Sequence, residues 1–152
     1  MARQKRAFTL IEVILVVLFL GIMAAIAIPR LSLSTLSKQK ADCLAQKVVT
    51  DLRRARRLAI SDAAGNTAGF RMNMTGSSPY TGYDIVDANS AETVDSHTID
   101  SSVSCTGGNE FRFGPQGNLL SGSATQLVIS AGGKTFTIDV TSATGTVKCV
   151  EN

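Results

Sequence analysis

Glu12 is the residue of this chain whose setting most calls for chemistry. It is the fifth residue of the run Phe8–Ile28 (FTLIEVILVVLFLGIMAAIAI) and the only charge in it. A lone carboxylate in apolar surroundings is costly, so it wants a positive partner. Arg3, Lys5 and Arg6 stand just before the run. A second group is Arg53, Arg54, Arg56 and Arg57. At helical spacing Arg53 and Arg57 share a face, while Arg54 and Arg56 diverge to either side. The result is a broad basic arc able to touch phosphates or acidic neighbours.

The remaining chemical candidates are weaker. His97 is the single histidine, among Asp95, Thr98 and Asp100, and reads as a surface residue. With no CxxC pair, a zinc site is not expected. Asp84, Asp87, Glu92, Asp95 and Asp100 are spaced unlike any regular calcium loop, so no metal is assigned. Gly132-Gly133-Lys134-Thr135 ends like a phosphate-binding loop. However, Val128 stands where that loop needs Gly, and a strand pattern follows where it needs a helix. No Ser or Cys has a base at readable spacing. The reading is therefore non-enzymatic, with no cofactor.

The elements that position these residues divide the chain unevenly. As a helix, Phe8–Ile28 is about 31 Å long, close to a hydrocarbon core of about 30 Å. The net charge of +3 belongs to the first seven residues, because from Phe8 onward Lys+Arg and Asp+Glu balance at 12 each. The basic balance thus argues for orientation, not for a nucleic-acid partner: a basic segment before a span stays cytoplasmic. Residues 29–64 continue as an amphipathic helix, with Leu33, Leu36, Leu44, Val48, Leu52, Ala55 and Ala59 on its apolar face. Pro29 should kink or break it. A continuous helix from Phe8 to Ala64 would be roughly 85 Å long, too long to pack on one small domain. Its first half must bury itself in membrane or in other subunits.

From residue 65 to 152 the pattern turns strand-like. The expected strands are Ala68–Met74, Tyr80–Asp87, Thr93–Ile99, Glu110–Phe113, Gln126–Ala131, Lys134–Thr141 and Gly145–Val150. Gly132-Gly133 makes the clearest hairpin. Phe111, Phe113, Leu127, Ile129, Phe136, Ile138 and Val140 alternate with polar neighbours. The fold expected is α+β, one antiparallel sheet packed on the second half of the long helix. Cys43, Cys105 and Cys149 allow three single pairings. In an oxidising periplasm Cys105–Cys149 is the expected bridge, set against the plainer reading of three small buried thiols.

Three readings of the N-terminus compete. A secretory signal would use Ala25-Ile26-Ala27 as its cleavage site, but the apolar run is too long and Glu12 too costly. A simple anchor leaves Glu12 unexplained. The third reading is a resemblance. Ala7-Phe8-Thr9-Leu10-Ile11-Glu12 is similar to the N-terminal signature of type IV pilins and type II secretion pseudopilins, and Pro29 falls where that family carries proline. The resemblance implies that residues 1–7 are a leader, that prepilin peptidase cuts between Ala7 and Phe8, and that Phe8 is then N-methylated. Most members have Gly before the cut, and Ala7 departs from that. The resemblance also implies that Glu12 pairs with the Phe8 amine of a neighbouring subunit, which sets register during assembly.

Phe111-Arg112-Phe113-Gly114-Pro115-Gln116-Gly117-Asn118, with the helical stretch Leu52–Ile60, resembles the GspH/FimT group of minor pseudopilins and minor pilins. The partners this implies are prepilin peptidase, other pilin-like subunits, the inner membrane, and secreted proteins or an outer-membrane secretin. The location implied is a single span with the N-terminus cytoplasmic and residues 65–152 periplasmic, later in a filament. DNA-uptake pilins of the group use a basic motif near the C-terminus. Here Gly145-Thr146-Val147-Lys148 has one cation, which lowers a DNA reading.

Overall fold

The computed structural model describes residues 9–27 and 33–152. Ala7, Phe8 and Pro29, which carry the expected cleavage, methylation and kink, lie outside the described residues. The chain divides into two compact units, Met1–Leu33 and Ser34–Asn152.

The first unit contains α1, Leu10–Ala27. Thr9 starts it: its carbonyl accepts from Glu12 N–H at 3.0 Å and Val13 N–H at 3.3 Å. Its hydroxyl also receives Glu12 N–H at 3.4 Å. Leucine, isoleucine and valine face every direction around this helix. From Leu10 to Met23 its large apolar side chains are more than half exposed, from 51% at Leu15 to 78% at Leu10. Eighteen residues rise about 27 Å. Among the described residues no helix is long and apolar enough to cross a membrane.

The second unit holds all of α2, Leu33–Ser61, except its first residue, followed by eight strands. Ala41, Ala45, Val48, Leu52, Ala55 and Ala59 recur every three or four residues along α2 and are all within 1% of full burial. The stripe expected from the leucines is therefore corrected at its start. Leu36 is 52% exposed and Leu44 is only partly buried. Small alanines occupy the contact because they let the helix axis lie close to the sheets.

The strands are β1 Phe70–Thr75, β2 Gly82–Asp87, β3 Thr93–Thr98, β4 Ser104–Gly107, β5 Glu110–Phe113, β6 Gln126–Ala131, β7 Lys134–Val140 and β8 Val147–Glu151. They form two antiparallel sheets of four, ordered β3-β2-β1-β5 and β4-β6-β7-β8, where a single sheet was expected. The unexpected strand is β4. Its sequence SCTG has no apolar alternation, yet it pairs Cys105 with Ile129 on β6. That pairing closes the second sheet and leaves β5 to join the first through Phe111↔Met72 and Phe113↔Phe70. All the alternating residues named from sequence are buried, with Phe111, Phe113, Leu127, Ile129 and Ile138 at 0%. Gly132 and Gly133 turn β6 into β7 with φ of 60° and 85°, opposing Ala131 to Lys134.

The expected Cys105–Cys149 bridge does not form, and all three cysteines are free. β4 and β8 are opposite edges of one sheet with β6 and β7 between them. Three interstrand spacings put them about 14 Å apart, and a disulfide needs Cα atoms within about 7 Å. Burial pushes the Cys105 thiol up to about 12, so it behaves as a small core residue.

Candidate functional site

Two places bring the sequence candidates together. The first is the start of α1. Glu12 occupies the third helical position after the capping Thr9, and its carboxylate lies where a helix dipole favours negative charge. The Thr-x-x-Glu spacing is the local sequence signal of such a helix start. Glu12 therefore has a local reason to be acidic in addition to any intersubunit one. It borders a shallow apolar groove with Val13, Val16 and Val17.

The second place is the middle of α2, where the four arginines separate into two sets. Arg54 turns to Asp95 on β3 and pairs with its carboxylate at 2.5 Å. Arg53 donates to the Val147 carbonyl at 3.2 Å. Arg56 donates through Nε to the Gly117 carbonyl at 3.0 Å. The broad basic arc is therefore not formed as expected. Arg53, Arg56 and Arg57 instead line a groove of about 470 Å³ with Thr50 and Gly145–Val147.

Three stretches singled out separately in the sequence meet here: the arginines, the Gly114–Asn118 turn and Gly145–Lys148. The turn is closed by Gly114 N–H on the Asn118 carbonyl at 2.9 Å and Gly117 N–H on the Gly114 carbonyl at 2.8 Å. A Cβ on Gly145 would fall 1.9 Å from the Gly117 oxygen. No spacing rule joins positions that far apart in sequence.

Between α2 and the first sheet runs a polar strut that the sequence did not reveal. Tyr83 donates to Asp51 Oδ2 at 2.7 Å in the core. His97 Nε2 lies 3.5 Å from the same oxygen and 3.3 Å from Asp95 Oδ2, without hydrogen-bond geometry to either. The Tyr83 and His97 rings are tilted at 5.2 Å. His97 is thus a half-buried link between β3 and α2, where a surface residue was expected. Burial, and then the bond to Asp51, raise the Tyr83 hydroxyl well above its usual range, so it stays a donor. Tyr83→Phe leaves the 7%-exposed Asp51 without that donor. It should lower stability by about 1–3 kcal/mol in urea unfolding. An unchanged midpoint would show that His97 or water takes over.

The acids considered for calcium are used singly. Asp87 caps Asn89 and Ser90 and receives Asn66 Nδ2. Asp100 holds Lys40 at 2.8 Å and Ser102. Among the described residues no group of three or more acids, histidines or cysteines is arranged to hold a metal ion.

Asp95 and Asp100 both sit below the usual carboxylate value. The hydrogen bond from Arg54 lowers Asp95, aided by His97. Those from Lys40 and then Ser102 lower Asp100. The unfolded values are near 3.9. A depressed folded pKa gives stability that is complete above the unfolded value and is lost as pH falls toward the folded one. The urea midpoint should therefore drop on acidification from about pH 5 to about pH 2, and less steeply in Asp100→Asn. Parallel profiles would remove the Lys40–Asp100 pair from the account.

No protein-family model, no curated protein and no solved structure matches this chain. A functional reading therefore rests on its own residues.

Proposed function

We propose that the chain is a minor pseudopilin of a type II secretion system, a non-enzymatic structural subunit near the pseudopilus tip. The observation that carries this reading is α1. It is apolar on every face, exposed from Leu10 to Ala25, and charged only at Glu12 in its first turn. A helix without a polar face is not stable in water and needs lipid or other helices around it. Residues 8–28 would be the membrane-spanning and then filament-core segment.

Processing between Ala7 and Phe8 by prepilin peptidase, with methylation of Phe8, would leave a cationic amine four residues before Glu12. Two such charges from neighbouring subunits neutralise each other in the apolar core, and this fixes register more than it adds stability. The sheet unit, with its own closed core, would face the periplasm and other subunits, secreted protein or an outer-membrane secretin.

A second reading is a minor pilin that primes a type IV pilus. It needs the same leader and helix. A DNA-uptake pilin is the third, and the division of the arginines between Asp95 and the groove weakens it. The test is a deletion strain compared with wild type by quantitative mass spectrometry of the extracellular and sheared fractions. Loss of soluble exoenzymes with pili unchanged is the expected result. Loss of the major pilin with exoenzymes unchanged would replace this reading with the second.

A further inference from the structure

Arg53, Arg56 and Arg57 bring three positive charges to one groove whose lining contains no acid. Among the described residues none of the three forms an ion pair. Each guanidinium has five N–H donors. Arg53 and Arg56 use one apiece on a backbone carbonyl, and Arg57 makes no hydrogen bond among the described residues. Most of the donors, and all of the charge, are left for an anion. Guanidinium forks match carboxylate and phosphate oxygens in pairs.

A second observation of a different kind selects between anions. β8 is the last strand of its sheet, so its outer edge borders no further strand. Thr146 O accepts Thr141 N–H on the β7 side. The next carbonyl, Val147 O, points the other way and receives Arg53. The groove therefore opens along an unpaired strand edge, where an extended chain can add its own backbone hydrogen bonds. A polypeptide has those groups and duplex DNA does not. Arg54, which would widen the cationic surface toward successive phosphates, is neutralised by Asp95.

We infer that this groove docks an extended acidic segment of a partner protein, its backbone lying on the outer edge of β8 and its carboxylates held by Arg53 and Arg57. Side chains on one face of a strand repeat every 6.6 Å or so. Arg53 and Arg57 are about 6 Å apart along the helix axis. Acids at alternate positions of the segment match that spacing. The inference does not depend on the secretion reading, since any partner with this pattern would satisfy it.

The test uses the full chain in neutral detergent micelles and fluorescence anisotropy at about 0.15 M salt. The probe is a labelled peptide of alternating Glu and Thr. A Gln–Thr peptide, a Glu–Thr peptide N-methylated at alternate residues, and duplex DNA are the comparisons. The Glu–Thr peptide should bind at least ~10-fold more tightly than the Gln–Thr and N-methylated peptides. That preference should be lost in Arg53→Gln/Arg57→Gln and kept in Arg54→Gln. Arg57→Gln alone removes no hydrogen bond or ion pair among the described residues and should lose part of it. Equal binding of the Glu–Thr and Gln–Thr peptides overturns the acidic segment, and full binding of the N-methylated peptide overturns strand addition. Tighter binding of duplex DNA, with the same dependence on Arg53 and Arg57, overturns the choice of a polypeptide.

Discussion

On the proposed pseudopilin reading, Glu12→Val should leave the chain in the membrane and remove it from filaments. Insertion should improve, because a carboxylate at a helix centre costs roughly 2.5–3.5 kcal/mol and less near an end. Helix formation should suffer little. The Thr9 carbonyl and hydroxyl still receive the Glu12 backbone N–H, and an acid in the first turn contributes only about 0.3–1 kcal/mol. Assembly should fall at least ~10-fold, since the neighbour's amine would then be buried without a counter-charge. Glu12→Gln separates charge from shape, for it keeps a polar side chain of the same length at the third helical position but carries no charge. Immunoblots of sheared filament and membrane fractions read both outcomes. If Glu12→Gln assembles normally while Glu12→Val does not, the residue acts as a cap and the pairing role is wrong.

Gly145→Ala should cost the second unit about 2–5 kcal/mol. Part of that is a left-handed backbone at φ 63°, which a residue with a Cβ adopts at a cost of about 1–2 kcal/mol. The rest is overlap. The new methyl would sit 1.9 Å from the Gly117 carbonyl oxygen and 3.2 Å from Arg56 Cδ, and crowding of this kind typically costs 1–3 kcal/mol or so. Gly133→Ala is the control, because its φ is 85° with nothing within 4 Å of the added carbon. The difference between the two variants in urea unfolding isolates the overlap. Equal losses would mean that the Gly117 turn moves aside freely, and the groove at Arg56 would then not be a fixed feature.

Local pattern was enough for much of the fold. The alternation of Phe111, Phe113, Leu127, Ile129, Phe136, Ile138 and Val140 placed their strands and their buried faces, because strand periodicity is written in neighbouring residues. Gly132-Gly133 named its hairpin for the same reason: the dihedrals belong to the two residues themselves. The apolar identity of Leu10–Ala27, and the isolation of Glu12 within it, needed no coordinates.

What pattern could not supply was partnership. Ser104–Gly107 becomes a strand only because β6 offers it an edge, so the number of sheets was settled by pairing far along the chain. Cys105 and Cys149 suited the same redox compartment but occupy opposite sheet edges. The four arginines formed one arc on a helical wheel. Asp95, Gly117 and Val147, none of them near α2 in sequence, then divided them. The sequence by itself determined the elements, the apolar faces and the single acid of α1, since each depends on local spacing. Only the tertiary structure decided which sheet edges stayed open and which charges stayed unpaired. Both depend on residues that meet through packing, and no spacing rule encodes those meetings.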